Sequence, residues 1–154
     1  METSEKSAIF VLMGEHKQIK QVESKIIVLR DTQVILDRDI AELYGVETRD
    51  INKAVKNNPD KFPQGYIITL EKEEKKELVE NFHRFNPLKH STVLPKAFTE
   101  KGLYMLATII KSTLATEATI AIIETFTKLR QLARAMQQAN DEIAKGGELP
   151  TAQE

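Results

Sequence analysis

Asp37–Lys56, DRDIAELYGVETRDINKAVK, is the stretch whose reading decides the fold. Its pattern predicts two short helices broken by a turn at Gly45. The first runs from an Asp37 cap and points Ile40, Ala41, Leu43 and Tyr44 inward; the second begins near Thr48 and buries Ile51, Ala54 and Val55. Asp suits an N-cap because its carboxylate accepts from backbone N–H groups that have no intrahelical partner. Gly suits a helix end that turns left-handed, where a Cβ clashes. Ala41 on the inner face leaves room for a second helix to approach, with Val46 and Ile51 at the contact. This is the layout of a helix-turn-helix, whose second helix can lie in the major groove of DNA.

The residues left facing outward are Glu47, Thr48, Arg49, Asn52, Lys53 and Lys56. Arg pairs bidentately with guanine edges and Asn with adenine edges, while Lys is a point charge for phosphate. Arg49 and Asn52 are therefore the expected base readers, with Thr48, Lys53 and Lys56 holding phosphates or nearby edges. An ordinary helical hairpin with a solvated polar face has the same local pattern, and that reading stays open.

Upstream, Ile26–Leu29 and Val34–Leu36 are apolar and largely β-branched around a turn near Asp31-Thr32, which predicts a β-hairpin. Met1–Ser24 reads as a flexible arm with one apolar island, Ile9–Met13. Downstream, Pro59 and Pro63 end the second helix, and Tyr66–Leu70 reads as a third strand. Glu71–Phe82 is a charged helix with Leu78, Val79 and Phe82 on its narrow apolar side. His83–Lys96, with Pro87 and Pro95 and no periodicity, reads as a loop. Its Arg84, Lys89, His90 and Lys96 offer backbone contacts to a polyanion, or merely keep a connection soluble. Thr99 then caps a core helix through Leu103, Leu106 and Ile110 that ends near Ser112.

The fold class expected is α+β: a helix-turn-helix with a small antiparallel, winged-like sheet over residues 25–115, a helical core, and a long C-terminal helix over 116–145. Residues 146–154 read as a disordered tail. Within the long helix, Ile122, Phe126, Leu129, Ala133, Met136, Asn140 and Ile143 alternate spacings of four and three, a heptad seam with one Asn inside it. Past Arg130 only that narrow seam remains, so a homodimer through this helix is expected; a helix folded back on its own domain is the other reading.

Composition narrows the function classes. The 154 residues carry no cysteine, which removes disulfides, thiolate metal sites and cysteine nucleophiles. The three histidines lie far apart, and no metal or cofactor is expected. There is no Gly-rich phosphate loop and no His–carboxylate pairing of familiar spacing, so an enzyme and a small-molecule substrate are not expected. The longest apolar run is too short to span a membrane, and acidic residues precede it, so a cytoplasmic protein is expected. Net charge is −1, which is not that of a general polyanion binder. The distribution is uneven: residues 81–114 hold five basic side chains against Glu100 alone. Any phosphate-contacting surface is therefore local.

Arg38–Val46, Asn52, Ala54-Val55, Asn57 and Phe62-Pro63, followed by Phe98-Thr99-Glu100-Lys101-Gly102-Leu103-Tyr104-Met105-Leu106-Ala107 and the helix through Ile120–Leu132, resemble the ORF6N domain, a family similar to the KilA-N domain of phage and bacterial proteins. The resemblance covers about residues 25–132. It implies binding to double-stranded DNA and a phage or prophage regulatory setting, as a transcriptional regulator or antirepressor. It assigns no base-reading residues. The alternative expectation is a protein-interaction module that modulates another regulator through the C-terminal helix without binding DNA.

Overall fold

The computed structural model describes residues 17–146. A helix whose described part covers residues 17–23 (α1) leads into strands Ile27–Leu29 (β1) and Thr32–Leu36 (β2), then helices Asp37–Tyr44 (α2) and Thr48–Asn57 (α3). A 3-10 turn at Pro59–Lys61 precedes strand Ile67–Thr69 (β3) and helix Lys72–Asn81 (α4). A 3-10 segment at His83–His90, strand Lys96–Thr99 (β4) and helices Glu100–Ala107 (α5) and Ala115–Ala144 (α6) complete the chain. The class is α+β, with a small antiparallel sheet and a long C-terminal helix. No helix among the described residues is long and apolar enough to cross a membrane.

The hairpin closes tightly. Leu29 sits opposite Thr32, so Arg30 and Asp31 alone make the turn, with φ of 52° and 62°. Positive φ at both centres is the turn whose twist matches that of the flanking strands. Arg30 is then fixed from outside, donating to both carboxylate oxygens of Glu74 on α4 at 2.9 and 2.7 Å.

The sheet order is β1-β2-β4-β3, antiparallel throughout. Phe98 on β4 lies opposite both Ile35 and Ile67. β4 corrects the reading of His83–Lys96 as a loop that runs straight into the Thr99 cap: Lys96 opens a central strand. The first half of that stretch is ordered too. Phe85 is fully buried, its ring 5.7 Å from that of Phe82 and 4.4 Å from the Arg84 guanidinium. Arg84 is spent internally, donating to the Ser24 carbonyl at 2.9 Å and to Asp39 Oδ2 at 3.3 Å. It is not part of a phosphate clamp.

Helices cover both faces of the sheet. On one, Ile35 and Phe98 pack with Ile40, Tyr44, Ile51, Leu103, Leu106, Ile122 and Phe126. On the other, Val34, Leu36 and Ala97 pack with Leu70, Leu78 and Phe85. Val34, Ile35 and Leu36 are all buried for this reason, and β2 shows no in-out alternation. Each such side chain contributes about 1.5–3 kcal/mol through burial. Val22 of α1 is also fully buried, so residues 17–23 of the expected arm are part of the folded unit. The island Ile9–Met13 and the tail beyond Gly146 lie outside the described residues. α5 stops at Ala107, short of Ser112, whose Oγ instead donates to the Tyr44 carbonyl at 2.6 Å.

Candidate nucleic-acid interface

α2 ends as its sequence dictates. Gly45 has φ +67°, its N–H donates to Glu42 O at 3.2 Å, and Val46 N–H reaches back to Ala41 O at 2.9 Å. That pair of bonds satisfies carbonyls left open at a helix end, with Ala41 and Val46 in apolar contact behind them. Glu47 is the last residue of the turn, and its N–H donates to the Asp50 carboxylate at 3.0 Å, which fixes the start of α3. Ile51 and Ala54 are buried beneath α3, and its remaining face is presented outward.

Asp37 departs from its expected role. The residue flanking the helix is Leu36, which makes no side-chain capping bond, and Asp37 is already the first helical residue. Its carboxylate points into the fold. Oδ1 accepts from the Arg38 N–H at 2.8 Å, and Oδ2 accepts from Asn52 Nδ2 at 3.2 Å and from the Lys96 N–H at 3.4 Å. Burial raises its carboxyl above the usual range, and the three hydrogen bonds pull it partly back. One buried carboxylate thereby joins α2, α3 and β4.

Asn52 is consequently turned inward. Its Nδ2 is given to Asp37 and its Oδ1 is buried without a partner. Bidentate pairing with adenine needs both atoms, so in this conformation Asn52 locks α3 in place. Face counting missed the partner because Asp37 lies fifteen positions away.

Arg49, Lys53, Lys56 and Lys96 do come together. With Asp50, Asn52 and Asn57 they line one open concavity of about 850 Å³ along α3. Arg49 is 84% exposed and forms an ion pair with Glu47, which is itself 65% exposed. Lys53, Lys56 and Asn57 are exposed, and Lys96 is half-buried where β4 begins. Asn57 carries an amide on this face that the face count had not included. Thr48 is half-buried at the start of α3 and does not line the concavity. Four cations and one carboxylate, Asp50, line the concavity, with Glu47 ion-paired to Arg49 and Asp37 buried behind Asn52, so the surface is locally positive on a chain of net charge −1.

Lys89 and His90 are elsewhere. Both are exposed at the end of the 3-10 segment, and Lys89 lines a separate groove with Lys72, Lys75 and Lys76 of α4 over Val79 and Leu94. The seam residues of α6 divide as well. Ile122 and Phe126 are buried in this chain's own core and Leu129 packs against it. Ala133, Met136, Asn140 and Ile143 stand on an exposed extension of the helix.

Comparison with known families identifies one match: the model described as the ORF6N domain covers residues 24–109, more than half of the chain. No curated protein and no solved structure matches. The matched residues span the hairpin, the α2–α3 pair, β3, α4, β4 and α5, and so include the whole cationic concavity.

Proposed function

The chain belongs to the ORF6N domain family, and from that membership we propose that it is a sequence-specific regulator of phage or prophage type that binds double-stranded DNA through α3. The observation that carries the reading is the gathering of Arg49, Lys53, Lys56 and Lys96 around one open face. Each element of that face has a part in it. Gly45 sets the angle between the two helices, and the Asp37–Asn52 bond holds α3 at a fixed roll. Arg49, long and free at its tip, reads a guanine edge. Lys53, Lys56 and Lys96 neutralise phosphates, and Asn57 is available to an adenine edge. The open, unpartnered end of α6 supplies self-association.

The test is a fluorescence-anisotropy titration against random duplex at low and at moderate salt, followed by selection from the same pool. Binding that weakens steeply with salt is the expected result, because each neutralised phosphate releases counterions. A second reading, a protein-interaction module, is favoured by the exposed apolar side chains Leu132, Met136 and Ile143. Absence of binding at low salt by folded protein selects that reading instead.

A further inference from the structure

The last domain contacts of α6 are made near Leu129 and Arg130, yet the helix continues to Ala144. Every residue from Gln131 to Ala144 is exposed except Ala139, which is half-buried. Fourteen residues of isolated helix, roughly 21 Å at about 1.5 Å per residue, are only marginally stable in water. This extension also carries apolar side chains that no other described residue covers: Leu132 at 52% exposed, Met136 at 66% and Ile143 at 48%.

Those residues have a register. Upstream, α6 buries Ala118, Ala121, Ile122, Thr125 and Phe126, and Leu129 packs beside them. The same stripe, stepped alternately by three and four, continues through Leu132, Met136, Ala139 and Ile143. It differs from the spacing expected from sequence, which places Ala133 and Asn140 on the seam. Leu132 is the large exposed apolar side chain between Leu129 and Met136, and an alternate-spacing seam places it in a knob position. Ala133 and Asn140 flank that seam.

We propose that the face made by Leu132, Met136, Ala139 and Ile143 pairs antiparallel with the same face of a second copy of this chain. The proposal deepens the self-association part of the functional reading and is independent of DNA binding. Three observations select the occupant and its direction. First, antiparallel pairing about the midpoint of the extension sets Met136 against Ala139 and Leu132 against Ile143. The large side chain then faces the small one, which fills space evenly. A parallel pair stacks Met136 on Met136 and leaves a thin layer at Ala139. Second, charge is polarised along the extension, with Arg134 toward the domain and Asp141 and Glu142 toward the tip. Opposed helices bring these ends together, whereas parallel ones put the two acidic tips side by side. Helix dipoles add in the same sense. Third, the paired stretch coincides with the exposed one, so the pairing uses no residue that packs on the chain's own domain.

The chain has no cysteine, so single cysteines report the geometry directly. Full-length Leu132→Cys and Ile143→Cys proteins, whose identical positions lie about 16 Å apart along an antiparallel pair at about 1.5 Å per residue, are oxidised separately and as a mixture, alongside sedimentation velocity on the unsubstituted chain. The expected result is a dimer whose mixed sample gives a heterodimeric cross-link while neither single variant links to itself. Met136→Glu, and independently Leu132→Glu, then raise the dimer dissociation constant by at least about tenfold, with the cooperative urea transition of the domain retained. Three results overturn the proposal: self-linking of either single-cysteine protein, which marks a parallel pair; a monomer at high micromolar concentration; or a dimer that persists in both glutamate variants. In each case the salt-dependent titration on DNA reads the α3 face separately, so loss of the pairing and loss of DNA binding are distinguishable.

Discussion

At the scale of single residues, the two kinds of cation on α3 have different signatures. Arg49 is largely in solvent, in an exposed ion pair with Glu47, so its removal is expected to leave the fold intact. Arg49→Ala is expected to cost about 1–3 kcal/mol on the selected site and much less on random duplex, because a bidentate pair discriminates between bases. Competition titrations measure both; equal losses on the two DNAs remove Arg49 from base reading. Lys53 is a point charge. Lys53→Ala is expected to weaken all duplexes alike and to flatten the slope of log affinity against log salt by about one unit. Asn52 shows what a residue list cannot convey. Its place on α3 is legible from helical periodicity, but its direction is set by a carboxylate on another helix, and no spacing rule reports that.

At the scale of elements, contact between backbone segments decides the signs of substitutions. Gly102 sits in the first turns of α5, where Ala is ordinarily favoured over Gly by about 1 kcal/mol. Here a Cβ falls 2.1 Å from the Tyr66 carbonyl oxygen, on backbone that also holds Thr99 through a 3.1 Å bond from its N–H. Gly102→Ala is therefore expected to destabilise by about 1–3 kcal/mol or more, read as a lower urea midpoint; a gain in stability rejects the close approach. The elements that were legible from sequence are those with a repeating signal: the hairpin, the α2–α3 pair around Gly45, the strand after Tyr66 and the long helix. Of those that were not, β4 and the 3-10 segment at His83–His90 have none. β4 is four residues between Pro95 and a helix cap, and it is buried on both faces, so it shows no alternation. The 3-10 segment is held by Phe85 and by the Arg84 bonds to Ser24 and Asp39, all contacts distant in sequence. The length of α6 was legible, but which of its residues the domain covers depends on where the domain stops supporting the helix.

For the whole molecule, the first turn of α2 ties the layers together. Asp37 accepts from α3 and β4, while Asp39 accepts from Arg84 of the segment that covers the other face of the sheet. Both are nearly inaccessible, and burial raises both carboxyls above their usual range, against the pull of Asn52 on the first and of Arg84 and Lys25 on the second. A raised pKa means the folded state holds these protons after the unfolded chain has lost them. Their contribution is thus complete below the unfolded value of about 3.9 and declines as pH rises from there through the folded value, beyond which it is constant. Glu74 acts oppositely: the hydrogen bond from Arg30 lowers it, so its contribution appears above the unfolded value and is lost in acid. Because that pair is solvent-exposed, its effect is small. Asp37→Asn isolates the buried term, since an amide imitates the protonated carboxyl at every pH. The Asn52 amide can rotate to offer its buried Oδ1 to the new N–H. The stability of Asp37→Asn relative to the unsubstituted chain is therefore expected to rise with pH from the unfolded carboxyl value of about 3.9 and to level off above the raised folded value. Urea unfolding of the two proteins across the range measures the difference. A difference that is flat with pH, or that falls, shows that the Asp37 carboxyl is not raised by burial and that its hydrogen bonds outweigh its desolvation.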